Sequence, residues 1–350
     1  MKRFGVFGAM LLVICANAHA QSSVTLYGML DAGMTYTNNV TTSSGHSSSL
    51  QLSSGSSVGD HWGITGREDI GGGVAVIFKL ESGFWLANGA MAVNDTLFSR
   101  EATVGFDGPA GTVKIGRQYD FIGDSFWSYS IAGNSAAGLM AWGLPTYAAG
   151  GYSLDNRMWG VTVNNAVKYV SPSLDGLRIG GMYGFGNVAG SMGTSQSVNV
   201  LLDYGAGNFH GSISYFSEHN ASGGSNLMEY AGGASYVLGD VKVFGVVTYV
   251  QLSSGDKPRA ITYDGGMSYN ISPSLAVGTG IQFQTRNNGI GSANQMTASV
   301  DYFLSKSTDL YIVAAVAHDS AYGAEIQAVQ SAPASTTLQT AARIGIRHAF

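Results

Sequence analysis

The chain has 350 residues, 11% of them charged and 45% hydrophobic, with 50 glycines, 6 prolines and 1 cysteine. Soluble domains carry about 25% charge and about 7% glycine, so the composition speaks against an ordinary cytosolic enzyme, while 18 Tyr, 15 Phe and 5 Trp are too much buriable surface for a disordered chain. The mean hydropathy of +0.11 suits a membrane protein, yet past residue 20 no run of 18 apolar residues is present to form a spanning helix.

The first element in chain order reads as an export signal over residues 1–20. Lys2 and Arg3 form its positive start, Val6 to Ile14 its apolar stretch, and Ala18 and Ala20 the small residues of an A-x-A cleavage site. Cleavage there would start the mature chain at Gln21 and remove Cys15 with the signal. Taking Lys2 and Arg3 from 17 basic residues leaves 15 against 22 acidic ones, a net charge of −7. That balance argues against nucleic acid as a partner.

From residue 23 onward, hydrophobicity alternates with period 2, the mark of strands whose two faces meet different solvents. Val24, Leu26, Gly28, Leu30 and Ala32 alternate with Thr25, Tyr27, Asp31 and Gly33; Leu275, Val277, Thr279, Ile281 and Phe283 alternate with Ala276, Gly278, Gln282 and Gln284. The pattern predicts sixteen strands, over 23–36, 60–70, 74–86, 97–107, 112–118, 164–171, 177–186, 197–205, 208–218, 227–238, 241–252, 259–271, 274–286, 294–304, 308–319 and 338–350. The stretch 308–319 is ambiguous in phase. Short connections such as Gly71-Gly72-Gly73 and Ser272-Pro273 alternate with long ones at 37–59, 87–96, 119–163, 187–196 and 320–337, and all six prolines fall outside strand interiors.

Period alone does not separate a membrane barrel from a soluble sandwich or solenoid, which would turn the Tyr/Val/Leu face inward. The export signal, the alternation of turn and loop lengths and the terminal aromatic Phe350 favour the barrel. Lipid offers the backbone no hydrogen bonds, so a spanning sheet closes on itself, and sixteen strands enclose water rather than a packed core. The expectation is an all-β, 16-stranded antiparallel transmembrane barrel occupying 21–350 as a single domain.

Several motifs resemble the trimeric porins of Gram-negative bacteria, of the beta-proteobacterial type. They are Gln21 to Gly28, Trp62-Gly63-Ile64 leading to Glu68-Asp69-Ile70-Gly71-Gly72-Gly73, Leu80 to Phe84, Phe98 to Gly105, Gly116-Arg117-Gln118-Tyr119-Asp120, Asn165 to Tyr169 and Ile344 to Phe350. The resemblance implies an outer-membrane homotrimer that passes ions and small hydrophilic solutes by passive diffusion, sits among outer-membrane lipid and lipopolysaccharide, and needs no cofactor or metal. It implies that periplasmic chaperones and the barrel-insertion machinery handle the chain, with Phe350, Ile346 and Ile344 as the insertion signal.

It also implies that the third long loop, 119–163, folds into the lumen as a constriction. Phe121, Phe126, Trp127, Tyr129, Trp142, Tyr147, Tyr152 and Trp159 make this loop too aromatic for disorder. Asp120 and Asp124 enter it and Asp155 leaves it; Lys79, Arg100, Lys114 and Arg117 are expected opposite, with Arg157 and Lys168 from the return. Opposite charges across a narrow aqueous gap orient dipolar solutes, and net sign selects ions. His61, Thr65 and Thr162 stand where the family commonly carries basic residues, so a weakly selective pore, or one leaning toward cations when His61 is neutral, is expected.

Two other classes of protein would show different features. An outer-membrane hydrolase needs Ser and His together at the bilayer edge, and a substrate-specific channel or adhesive anchor would use the aromatic loop to hold a solute. None of the histidines 46, 61, 210, 219, 318 and 348 belongs to an H-E-x-x-H pair, so no metalloprotease site is written here.

Overall fold

The computed structural model describes residues 22–55, 58–136, 148–149, 152–158, 160–221, 226–253, 255–321, 323–326 and 336–350. The export signal with Ala18 and Ala20, and Trp142, Tyr147 and Trp159, lie outside the described residues.

The alternating pattern is realised as antiparallel strands: β1 (Ser22–Thr42), β2 (Gly45–Ser54), β3 (His61–Gly71), β4 (Val74–Gly83), β5 (Glu101–Gly108), β6 (Gly111–Tyr119), β7 (Ala148–Ala149), β8 (Tyr152–Ser153), β9 (Thr162–Val170), β10 (Leu177–Gly184), β11 (Ser197–Ala206), β12 (Phe209–His219), β13 (Asn226–Leu238), β14 (Val241–Leu252), β15 (Arg259–Ser272), β16 (Leu275–Arg286), β17 (Ser292–Phe303), β18 (Thr308–Asp319) and β19 (Leu338–Ala349). β7 and β8 pair only with each other, inside the long connection after β6. All the others form one sheet, which closes where β1 pairs β19 from Met29↔Ala349 to Thr37↔Ala341.

The count of sixteen survives because β2 and β3 share one partner. β3 pairs β1 over residues 22–29 and β2 pairs it over 32–42, so the two are halves of one barrel strand interrupted at residues 55–60. The interruption is pinned to the wall: Gly55 N–H donates to Asp31 O at 2.9 Å, and Asp31 N–H donates to Asp60 Oδ1 at 2.6 Å. This corrects the expectation of a loop over 37–59. The chain instead continues as a hairpin turning at 43–44, its outward face carried by only Leu50 and Leu52 among serines. The expected strand ends at 86 and 97 also retreat, to Gly83 and Glu101.

Which face points where follows from exposure. Val24, Leu26, Ile281, Phe283, Met296 and Tyr302 are exposed, whereas Asp31, Gln282, Gln284, Thr297, Ser299 and Asp301 are buried. Apolar side chains therefore meet lipid and polar ones turn inward, the inverse of a soluble protein. The ambiguous strand resolves the same way: Leu310, Ile312 and Val316 face out, Tyr311, Val313 and Ala315 in. At the closing seam Tyr311 Oη donates to Asp31 Oδ1 at 2.5 Å, and Arg343, also buried, donates from Nε to Tyr311 Oη at 2.7 Å and pairs with Asp31 at 3.3 Å.

Candidate functional site

The connection after β6 opens with a short helix, α1 (Phe121–Ser125), capped by Asp120, whose Oδ1 accepts the Gly123 N–H at 2.8 Å. Two 3-10 turns, Phe126–Tyr129 and Ile131–Gly133, follow. Phe121, Ile122, Phe126, Tyr129 and Ile131 are all buried, and what buries them is the inward face of the far wall.

That wall is cut to receive them. A Cβ on Gly180 of β10 would lie 2.5 Å from Phe121 Cζ, one on Gly280 of β16 would lie 2.7 Å from Ile131 Cβ, and one on Gly233 of β13 would collide with the Tyr129 ring. Missing side chains here are sockets into which loop residues drop. Hydrogen bonds pin the same segment: Asn199 Oδ1 accepts Phe121 N–H at 2.6 Å, Ser130 Oγ donates to Asp264 Oδ2 at 2.7 Å, Asp301 Oδ1 accepts Ala136 N–H at 3.0 Å, and Tyr129 Oη bonds Ser212 Oγ at 2.6 Å and His210 Nδ1 at 2.8 Å.

Two ion pairs hold the ends of the loop. Arg157 Nε, in the return limb, donates to Glu229 Oε2 on β13 at 2.8 Å, and both side chains are nearly inaccessible. Lys168 on β9 pairs with Asp124 of α1, donates to Tyr119 O at 2.8 Å and lies 4.5 Å from the Phe121 ring centroid. Lys168 stands directly across from Lys114 in the β6–β9 ladder. Like charges in that position repel, and each lysine takes a carboxylate from elsewhere.

The near wall, β3 to β6, is built differently. Lys79 bridges Glu81 and Glu101, each at 3.1 Å; Arg100 pairs with Glu81 at 2.5 Å and Lys114 with Glu101 at 2.8 Å. Tyr27 Oη and Thr103 Oγ1 donate to the same two carboxylates. Glu81 and Glu101, which sequence reasoning missed, thus convert an expected bare row of cations into a braced lattice. Their signal was present: each is an acidic residue on the inward face of a strand that also carries, or pairs beside, a basic one.

Arg117 is the exception on that wall. It lies between Gly116 and Gln118, where the β6–β9 register shifts: Gly116 pairs with Ala166 and Gln118 with Val163, so β9 carries the extra residue of a bulge at Asn164 and Asn165. Asn165 takes φ +52° in the bulge, and Gly116 beside it on β6 has φ +132°, a conformation L side chains rarely adopt. Its guanidinium donates to Ser99 O at 2.9 Å, Thr162 Oγ1 at 2.5 Å and Asn164 Oδ1 at 2.6 Å, and it makes no ion pair among the described residues.

The other expected site residues fall in several places. Asp120 is fully buried as the helix cap, and burial pushes its carboxyl up to about 6, so the expectation that it faces the aqueous gap is corrected. Asp155 accepts the Arg157 N–H at 2.8 Å and serves the loop's own turn. Arg157 is spent on Glu229 and does not stand in the gap. His61 bonds through Nδ1 to Gly59 O at 2.8 Å, beside Tyr27. Ile344, Ile346 and Phe350 are outward and about half exposed, with the Phe350 backbone bonded both ways to Gly28. Gly55 to Gly59 spells G-x-S-x-G, but it joins two collinear strands instead of opening a helix, the context a hydrolase elbow requires.

A closed sheet with lipid-facing apolar residues, a polar interior, short turns on one rim and long connections on the other defines an outer-membrane channel. The profile of the Gram-negative porins matches residues 8–322, and the chain belongs to that family. It is 29% identical to outer membrane porin protein 32 of Delftia acidovorans over 97% of this chain and 98% of that one. It is 28% identical to an outer membrane porin protein of Bordetella pertussis over the whole of both. In fold it is similar to an anion-selective porin from Comamonas acidovorans, with TM-score 0.80, 24% identity and coverage of 94% of this chain and 100% of that one. A trimeric, in-vitro folded outer membrane protein OmpT of Vibrio cholerae superimposes with TM-score 0.67 at 14% identity over 94% of this chain and 99% of that one, a likeness of fold alone. The protein is a porin of the outer membrane through which solutes diffuse passively, and it is not an enzyme.

Proposed function

We propose that this porin is a general diffusion channel of weak ion selectivity, narrowed between the docked loop and the near wall, and assembled as a homotrimer after its signal is cleaved beyond Ala20. The observation that carries the selectivity reading is the bracing of Lys79, Arg100 and Lys114 by Glu81 and Glu101. A cation whose neighbour is a carboxylate contributes little to the field a passing ion meets, because the pair acts as a dipole rather than a charge. The fixed charges missing at His61, Thr65 and Thr162 weaken anion attraction further. Ions, sugars and other small hydrophilic solutes are its cargo. For the trimer, the support is family membership and the apolar outward face at the closing seam, where Met34, Leu52 and Ile344 lie side by side and exposed.

The test is the reversal potential of purified protein in planar bilayers across a salt gradient at pH 5.5 and pH 8. The expected result is a small potential at both pH values. Replacing the braces, Glu81→Gln with Glu101→Gln, should turn the pore clearly anion-selective by releasing three cations. Strong anion preference of the unmodified protein at both pH values would refute weak selectivity, and an absence of conductance would refute the pore itself.

A further inference from the structure

The rim with the long connections holds a cavity of about 840 Å3, and its charges form an unusual set. Arg117 enters it from β6, opposite the β9 bulge, held by three neutral oxygens. Glu218, on the inward face near the end of β12, enters the same space and makes no ion pair among the described residues. These two do not pair with each other.

The other charged groups around the cavity are already committed. Arg100 is bound to Glu81 at 2.5 Å. Asp60 accepts the N–H of Asp31 on Oδ1 at 2.6 Å and that of Leu86 on Oδ2 at 3.1 Å. Arg157, whose charge is felt at Glu218, is taken by Glu229 at 2.8 Å. Asp60 is also buried, so Arg117 and Glu218, both part-exposed, are the cation and the anion left to a solute.

Their spacing suits a solute whose two charges lie well apart. Between β6 and β12 the sheet order places β9, β10 and β11, so the two residues are four strand spacings apart, roughly 19 Å along the wall. Both nevertheless line the same cavity. Phe84 and Trp85 line the same cavity and offer an apolar face, and an aromatic wall favours an organic solute over a hydrated ion.

We propose that this cavity is a binding subsite for small zwitterions whose two charges lie at opposite ends, short peptides above all. Arg117 takes the carboxylate, Glu218 takes the ammonium, and Trp85 covers the side chain. A solute carrying only one charge leaves the other wall group unmatched, so the site discriminates by requiring both. The proposal rests on the channel role and adds a solute preference to it.

The test is solute-induced block of single-channel current in planar bilayers with four related probes. These are phenylalanyl-glycyl-glycine, its N-acetyl derivative (anion), its C-terminal amide (cation) and its N-acetyl amide (neutral). The zwitterion should block with an apparent affinity about tenfold tighter than the other three, the weight of one charge-assisted hydrogen-bond set. Glu218→Gln should reduce the zwitterion to the level of the anion, and Arg117→Gln to that of the cation. Arg117→Lys, which keeps the charge, should retain the discrimination, so lost block in Arg117→Gln is separated from a misfolded mouth. Equal block by all four probes, no block in a conducting channel, or variants that weaken every probe alike would each overturn the subsite. A protein that forms no channel would overturn the porin reading instead.

Discussion

The near wall and the far wall of this barrel face the same lumen and are built on opposite principles. The near wall, β3 to β6, meets water with long charged side chains tied into a lattice by Glu81 and Glu101. The far wall, β10 to β16, meets the loop with glycines and short polar side chains, and Phe121, Tyr129 and Ile131 fill the missing volume. The difference teaches that glycine has two uses in a hollow protein. Facing water, an inward glycine merely widens the bore. Facing a loop, it forms a socket, and the positions of the sockets decide where the bore is narrow.

If the far wall is a dock, breaking the buried ion pair that ties the loop to it should do the most damage. Glu229→Ala leaves Arg157 charged and buried without its partner, and should cost about 3–5 kcal/mol, read as a lowered unfolding temperature in detergent and as new protease cleavage in the loop. Restoring a matched apolar pair, Arg157→Leu with Glu229→Leu, should recover most of the loss. Next in size, Gly233→Val drives two methyl groups into the Tyr129 ring and should cost about 1–3 kcal/mol of docking, with single-channel conductance becoming larger and noisier as the loop lifts. The smallest effect sharpens the contrast from outside the lumen. Arg67 and Asp107 pair at 2.7 Å on the short-turn rim with side chains 50% and 37% exposed, so Arg67→Ala should change stability by only about 0–1 kcal/mol and leave conductance as it was.

Much of the fold was legible because period 2 and connection length are one-dimensional signals. Leu275 to Phe283 showed its two faces without any knowledge of neighbours. β2 was hidden because His46 to Ser49 and Ser53-Ser54 give the alternation no contrast, leaving Leu50 and Leu52 alone to carry it. The site was less legible for a different reason. Pairing of Lys114 with Glu101, or of Arg157 with Glu229, depends on cross-strand register and on how a 42-residue connection between Tyr119 and Thr162 comes to rest, and neither is encoded in local pattern. The aromatic content of the loop announced that it packs somewhere. The glycines that receive it looked, in the sequence, like any others.

The closing seam has a consequence for assembly. Arg343 donates to Gly33 O across a sequence separation of 310 residues, and β1 finds its second neighbour only in β19. Until that pairing forms, two edges of a long sheet stand bare, each a template for any other strand, and the loop entropy of joining them falls on the last step rather than the first. The buried Asp31–Tyr311–Arg343 cluster sits at this joint. Polar and useless to a half-built sheet, it becomes satisfied only when both edges arrive together, so it acts as a checkpoint on closure: a strand paired out of register would leave its charges buried and alone.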